Sequence, residues 1–496
     1  MASHSNQIKK IAMIGCGSMG GGMALLFAEK GIAVSLQDPS TENMDSVMES
    51  ANKDGLSDRI SKYNDNKALC ESLDTPKVFV WSLPHGSVGD TVLGGLMPYL
   101  DKGDIIIDCG NEHWQNTERR QGKCSVRGIR YVGCGVSGGY QAARRGPSMC
   151  PGGDDAALDI VLPTLQMVAA KASDGSACVG RIGVGGAGHY CKMIHNGIEH
   201  GMMSAISEAW AIMHKGMGLS LPNIGKTFKE WSSERELKNT FLLDIGVDIC
   251  QEKEGKVLES VEDKVVQDVT GEEGTGIWSN DEAIEQHVPA PTLATAHFLR
   301  LASSDLHQRR VIQKTSGGDH PPKPLEEANQ HPMDFLNDLK LAVYVACLAA
   351  YIQGLNTIDQ ANKNKRFNID YSELLQVWRN GCIIRSDHIN EDLLAPIFAN
   401  GAEYTNPLYV PGIVKELKEG FAALRRITKL AVAADHVVPA LGATLEYLKY
   451  QTSTDLPTSF YEAELDYFGS HMFDKKGEDP EGRPETGKHH YEWKLA

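Results

Sequence analysis

The chain has no paired cysteine spacing, no long apolar run, no excess of positive charge and no internal repeat, and each absence removes a class of protein. Its 11 cysteines are scattered without a CxxC pair, so neither a zinc module nor a disulfide framework is expected, and no metal site is assigned. The opening Met1-Ala2-Ser3-His4-Ser5-Asn6 carries no apolar h-region. With the unpaired thiols, this points to a reducing, cytoplasmic setting. The longest apolar run, Leu341 to Ile352, covers about a dozen residues where a membrane span needs roughly twenty. It reads as a buried helix of a protein with no membrane partner. Cations are outnumbered, 49 Lys and Arg against 65 Asp and Glu for a net charge of −16, which argues against a nucleic-acid partner, since that needs a basic face. What is present is ordinary for a globular protein, 496 residues that are 41% hydrophobic and 23% charged, enough for two or three domains around large cores.

The first of these domains announces itself early. Ile11-Ala12-Met13-Ile14 reads as a strand that ends in Gly15-Cys16-Gly17-Ser18-Met19-Gly20; Ser18 to Lys30 then reads as a helix stopped by Gly31, and Ile32 to Leu36 as a second strand closed by Asp38. Strand, GxGxxG, helix, strand and acid form the dinucleotide-binding fingerprint in its required context. The glycines let the backbone approach a pyrophosphate at the helix N-terminus. Asp38, followed by Pro39-Ser40, would accept bonds from the adenosine ribose hydroxyls and repel a 2′-phosphate, favouring NAD over NADP. A second GxGxxG, Gly183 to Gly188, has no convincing strand before it and no acid after it, and is read as the entry to a helix.

The alternation continues through strands at Lys77 to Leu83, Asp104 to Asp108 and Arg130 to Gly133. After them come the loops Pro84-His85-Gly86, Cys109-Gly110-Asn111 and Gly135-Val136-Ser137-Gly138-Gly139. In an open parallel sheet ligands bind at the carboxyl ends of the strands, so these loops should face cofactor and substrate. Leu83, Pro84, His85 and Asn111 are accordingly assigned to the cofactor. Beyond about residue 187 helical periods take over, through Ala205 to Met213, Asp334 to Gly354 and Val414 to Ala434. The expected architecture is an α/β Rossmann domain over residues 1–186, a large all-α catalytic and dimerisation domain over 187–455, and a polar, irregular C-terminal tail over 456–496.

Gly186-Ala187-Gly188-His189 opens a helix on which Lys192, Asn196 and Glu199 lie at i, i+4 and i+7, hence on one face. A lysine and a carboxylate then project into one space. A solvated surface helix would carry the same pair, and spacing alone does not choose between the two.

Gly135-Val136-Ser137-Gly138-Gly139, Gly186 through Glu199, Trp378-Arg379-Asn380-Gly381-Cys382-Ile383-Ile384-Arg385-Ser386 and Asp466-Tyr467-Phe468-Gly469-Ser470-His471 resemble, in order, the signature blocks of the 6-phosphogluconate dehydrogenase family. The resemblance runs from about residue 10 to 475. It implies NAD- or NADP-dependent oxidative decarboxylation of a 3-hydroxy sugar acid, with Lys192 as general base and Glu199 as general acid. It also implies substrate contacts from Asn111, Ser137, Gly138, Gly139, His195, Asn196, His200, Thr275, Arg300 and His471. A homodimer follows from the same resemblance, with the tail of one subunit completing the partner's site and Leu341–Ile352 contributing to a large interface.

The departures from the family pattern carry their own expectations. A phosphate-binding tyrosine, lysine and arginine are replaced by His200, Glu273 and Leu465, leaving Thr275, Arg300 and His471. The Asn-Arg-Thr that grips a 2′-phosphate is Asp38-Pro39-Ser40, and the lysine after the next strand is Pro84. Both phosphate pockets have lost positive charge while Lys192, Glu199, Asn196 and Ser137 are kept. The leading expectation is an NAD-preferring enzyme of this type acting on a 3-hydroxy sugar acid, either 6-phosphogluconate or, favoured by the lost phosphate ligands, an unphosphorylated one. The alternatives are an NADP-linked 6-phosphogluconate dehydrogenase of the pentose phosphate pathway with His200 as imidazolium, a dehydrogenase that stops at the keto acid, and a non-catalytic nucleotide-binding paralogue.

Overall fold

The structure is a computed structural model that describes residues 8–251, 274–318, 320–477 and 481–493. Glu273, expected at the substrate's far end, lies outside the described residues.

Seven strands form one sheet in the order β3-β2-β1-β4-β5-β6-β7. These are β1 Lys10–Ile14, β2 Ala33–Gln37, β3 Ile60–Lys62, β4 Val78–Trp81, β5 Ile105–Asp108, β6 Arg130–Ser137 and β7 Ser148–Gly153. The first six run parallel, with Ile11 opposite Val34 and Val80 opposite Ile107. β7 closes the edge antiparallel, with Gly135 opposite Cys150. The inner strands are apolar on both faces because helices cover both. Ile11, Met13, Val80 and Ile107 face one buried cluster, and Ala12, Ile14, Phe79 and Ile106 the other.

Strand order reverses between β1 and β4, where Ser82 N–H, just after β4, donates to Ile14 O at the end of β1 at 2.8 Å, while Gly15 N–H donates on the other side to Gln37 O of β2 at 2.9 Å. Ligands of open α/β sheets bind at such a reversal. β3 and β7 were not expected from the sequence. β3 has only three residues, and β7 reads Ser-Met-Cys-Pro-Gly-Gly, turn chemistry forced into a buried edge strand.

The Ala187–Ala211 helix crosses β6 and β7 at very short range. A Cβ on Gly188 would collide with the carbonyls of Gly133 and Cys150, one on Gly152 would stand 2.5 Å from Gly188 N, and one on Gly135 would collide with Lys192 Cβ. Backbone therefore rests on backbone, which only glycine allows. On its other side this helix meets the Pro332–Lys365 helix, where Gly354 leaves 2.5 Å to Ile198 Cδ1 and Gly201 leaves 3.1 Å to Ala350 Cβ. The Pro411–Ala433 helix covers the far side of Pro332–Lys365.

Pro332–Lys365 is long and apolar enough by length and composition to cross a membrane, yet 89% of its most apolar stretch is buried inside the protein. Ala342 to Ile352 are almost wholly inaccessible within this one chain. The expectation that this run forms a subunit interface is thereby corrected: its burial is intramolecular.

Residues 446–496 form a second compact unit. The irregular tail expected there is instead ordered in its described parts, a helix at Thr458–Gly469 and an antiparallel pair, β8 Phe473–Lys475 with β9 Glu485–His489. Its organiser is the buried carboxylate of Asp466, which accepts from His490 Nδ1 at 2.8 Å, Trp493 Nε1 at 2.9 Å and Tyr491 N–H at 3.0 Å. Such a polar knot leaves no apolar periodicity in the sequence.

Gly135→Ala is expected to push the Ala187–Ala211 helix off β6. Overpacking of this kind costs about 1–3 kcal/mol, so a lower melting temperature should accompany a displaced Lys192 and reduced turnover; a melting curve and an initial rate on the same preparation check both.

Candidate active site

The fingerprint glycines divide the labour that a bound dinucleotide requires. Gly15 has φ +88°, which makes the turn off β1. A Cβ on Gly17 would meet nothing within 4 Å, leaving an open cradle at the N-terminus of the Ser18–Glu29 helix, whereas one on Gly20 would collide with Gly15 O. These are the tight turn, the phosphate approach and the close helix packing of a dinucleotide site. Beside them a cleft of 230 Å³ is lined by Cys16, Gly17, Ser18, Leu25, Asn43 and Ser46 among others, with no lysine or arginine in its lining. Met19 sits in the first turn of the same helix.

Asp38 is held in place by the backbone. Its Oδ2 accepts from Cys16 N–H at 2.6 Å, and Oδ1 from Ser40 N–H at 2.8 Å and from Asn43 Nδ2 at 3.3 Å. Cys16 thus serves the site through its N–H, while its thiol points back to Gln37 O. Ser40 caps the following helix, accepting from Asn43 N–H at 3.2 Å, and Pro39 makes the turn between them.

Leu83, Pro84 and His85 follow β4, Leu83 half-buried and the other two exposed. Asn111 stands exposed after β5. Two residues outside the sequence expectations tie these loops together. Glu112, buried, accepts from Gly86 N–H at 3.0 Å, His113 N–H at 2.8 Å and Arg120 Nη1 at 2.7 Å, and Arg120 Nη2 donates to Gly86 O at 2.6 Å. Glu112 and Arg120 have no spacing signal. They emerge only when β4 and β5 are laid side by side.

Lys192, His195 and Asn196 share a face of the Ala187–Ala211 helix, and this face is buried rather than solvated. Lys192 Nζ donates to Asn196 Oδ1 at 2.8 Å, and Asn196 Nδ2 donates to Thr275 Oγ1 at 2.8 Å, which fixes the amide's orientation. His195 Nδ1 lies 3.0 Å from the same Oδ1 and must be the donor there. Its Nε2 therefore accepts, and both Ser137 Oγ and Cys382 Sγ stand 3.0 Å from it. Ile383 N–H reaches Ser137 Oγ at 3.3 Å. Gly138, at φ +107°, lets the chain turn against Gly381 O, and Gly139, at φ +69°, opens the next helix.

Burial sets the charge states. Desolvation holds the Lys192 ammonium below its ordinary pKa against the opposing pull of Glu199. Desolvation first, then Lys192, holds His195 well below the ordinary imidazole value, so the ring is neutral. The Cys382 thiol is pushed up to about 11 by burial and stays protonated as a donor. Glu199, 22% exposed, turns Oε2 to within 3.8 Å of His195 Nδ1.

Further along the helix, near its middle, Arg300 Nη1 donates to His200 Nε2 at 3.2 Å. His297 stacks on His200 with centroids 5.7 Å apart and planes 6° from parallel. Thr275 and Arg300 are thus joined to the Lys192 helix through Asn196 and His200. His471 belongs to the second compact unit, where its ring packs edge-on to Phe468. Cys382, His297, Trp278 and Glu282 join the described surroundings without having been singled out in advance. Among the described residues no cluster of His, Cys, Asp and Glu is placed to hold a metal ion.

Comparison with known proteins agrees with this geometry. Residues 10–183 match the family described as the NAD binding domain of 6-phosphogluconate dehydrogenase, and residues 188–493 match the 6-phosphogluconate dehydrogenase C-terminal domain. The chain is 42% identical to a decarboxylating 6-phosphogluconate dehydrogenase of Emericella nidulans over 96% of its own length and 100% of that protein's. With one from Escherichia coli it shares 34% over 98% of this chain and 99% of the other. Among solved structures, a Plasmodium falciparum 6-phosphogluconate dehydrogenase, studied in complex with NADP+ and with 6-phosphogluconate, superposes with a TM-score of 0.87 at 30% identity over 98% of this chain and 100% of that one. The chain belongs to the 6-phosphogluconate dehydrogenase family of decarboxylating, NAD(P)-dependent oxidoreductases that act on CH–OH groups.

Proposed function

We propose that the enzyme carries out the oxidative decarboxylation of 6-phosphogluconate with NAD as the preferred acceptor. The observation that carries the cofactor preference is Asp38, fixed by three donors beside a cleft lined by no cation. A carboxylate so placed offers acceptors to a ribose diol and repels a 2′-phosphate. The dinucleotide, when bound, supplies the hydride acceptor.

The chain's own residues handle the protons. Lys192, whose pKa desolvation lowers, takes the proton in its free-amine form from the C3 hydroxyl as the C3–H bond gives up its hydride. The resulting ammonium then donates to the C3 carbonyl. Cleavage of the C1–C2 bond releases CO2 and leaves its electron pair on the enediol, and Glu199 donates a proton to the carbon that lost the carboxyl group. Asn196 Oδ1 steadies Lys192 through this cycle, and neutral His195 with Ser137 offers hydrogen bonds that cost no charge.

A second reading, an unphosphorylated sugar acid, draws on one contact. Because Arg300 can only donate, His200 Nε2 must accept, so in this arrangement His200 is an acceptor rather than an extra cation for a phosphate. We infer a homodimer as well. Phe298, Leu301 and Ile312 are exposed in the first unit, as are Phe460 and Phe468 in the second, and apolar exposure of this kind marks protein contacts. All 11 cysteines are free and buried, which suits a reducing compartment.

Initial rates crossing NAD and NADP with 6-phosphogluconate and gluconate, with CO2 trapped, test the proposal. Faster use of NAD and of the phosphorylated acid is expected; NADP preference would overturn the role given to Asp38, and gluconate preference the role given to the phosphate. Asp38→Ser should shift the NAD to NADP ratio of kcat/KM by roughly tenfold or more, since charge-assisted bonds contribute about 1.5–3 kcal/mol.

Lys192→Met should lower kcat by about 10²–10⁴-fold, the usual worth of a positioned base. A lysine whose folded pKa lies below its unfolded value binds fewer protons when folded, so it subtracts stability at neutral pH and the loss shrinks as pH rises toward the unfolded value. The Met variant should therefore melt above wild type at pH 7, with the gap narrowing at alkaline pH. Light scattering at twice the chain mass checks the dimer, and full activity from a monomer would exclude it.

A further inference from the structure

The Gly274–Glu285 helix presents Thr275, Trp278 and Glu282 at i, i+3 and i+7, one face, and each meets a different part of the site. Thr275 takes the Asn196 amide at 2.8 Å, on the substrate side. Trp278 stands edge-on between two imidazoles, His85 at 5.2 Å and 88° and His113 at 5.1 Å and 85°. His85 belongs to the loop after β4 and His113 to the loop after β5, the two loops that Glu112 and Arg120 tie together. Glu282, buried, anchors the helix by accepting from Trp114 Nε1 at 2.7 Å and Tyr190 OH at 3.0 Å. Ser279 presses on the gap left by Gly197, and the Trp278 ring folds over Gly274.

We propose that Trp278 is a positioning residue that couples the cofactor site to the substrate site, by gripping the two cofactor-side loops on a helix whose first turn holds Asn196. This rests on the reading that the loops after β4 and β5 face the dinucleotide. The physical basis is shared ordering. His113, kept neutral by burial, and His85 present ring edges and faces to the indole, contacts that are favourable in the edge-on geometry but short in range. They exist only while both loops and the helix hold one arrangement. A ligand on either side fixes that arrangement, and the second ligand then binds without bearing the ordering cost, which is positive coupling. Thr275 and Trp278, one helical turn apart, make the path from Asn196 to the loops a single rigid step.

Titration calorimetry of the full-length protein, with reduced dinucleotide and the sugar acid so that no turnover occurs, reads the coupling directly. The dinucleotide is NADH or NADPH and the acid 6-phosphogluconate or gluconate, whichever pair turns over fastest in its oxidised form. In wild type, saturating dinucleotide should tighten acid binding by at least about fivefold, the lower end of usual coupling. Trp278→Ala should bring that ratio below about twofold, Trp278→Phe should keep most of it, and His85→Ala, at an exposed loop position, should reduce it from the opposite side. A loss of packing alone would weaken each ligand separately and leave the ratio intact. Absent coupling in wild type, or wild-type coupling in both Trp278→Ala and His85→Ala, would overturn the proposal; if Trp278→Ala does not fold, His85→Ala decides. A preference for NADP changes only which dinucleotide is titrated, so failure of the cofactor reading and failure of the coupling are told apart.

Discussion

Everything in this molecule hangs on the contact of one helix with two glycine-bearing strands. Ala187–Ala211 reaches β6 and β7 at backbone distance because Gly133, Gly135, Gly152 and Gly188 carry no side chain where they meet. That contact delivers Lys192 to the carboxyl end of β6, which supplies Ser137. It also excludes water from the lysine. Burial of the side chain there is also what lowers the basicity of Lys192.

The burial that lowers the Lys192 pKa also costs the fold stability, and neutral polar groups surround the side chain. Asn196, His195, Ser137 and the Cys382 thiol join one another in a connected chain of hydrogen bonds, and Glu199 is the carboxylate whose charge acts on the lysine. Cationic charge is compensated directly where Arg120 meets Glu112, Asp90 and Asp108 beside the loops after β4 and β5.

How much of this was legible in the sequence depended on whether a feature was periodic. The fingerprint, Asp38 and the Lys192–Glu199 face follow fixed spacings, and β1, β2, β4, β5 and β6 lie where apolar runs put them. β7 was illegible because its Ser-Met-Cys-Pro-Gly-Gly composition is that of a turn, and it is a strand only because a helix and β6 bury it. The ordered second unit was illegible because Asp466 gathers partners up to 27 residues away, a pattern with no period. Glu112, Trp278 and Glu282 act across elements far apart in the chain, and Cys382 lies 187 residues from the imidazole it meets.

The Pro332–Lys365 helix has a meaning for the path by which the chain becomes folded. Its apolar middle is covered by the Ala187–Ala211 helix, made long before it during synthesis, and by Pro411–Ala433, made after it. Until the later helix emerges, one flank of the most hydrophobic segment in the molecule stays bare. A nascent or refolding chain at that stage presents an uncovered surface that a second chain could bind, and self-association would compete with completion of the bundle in proportion to concentration. The glycines at 201 and 354 therefore serve assembly as well as geometry: close seating of the first helix covers the other flank early.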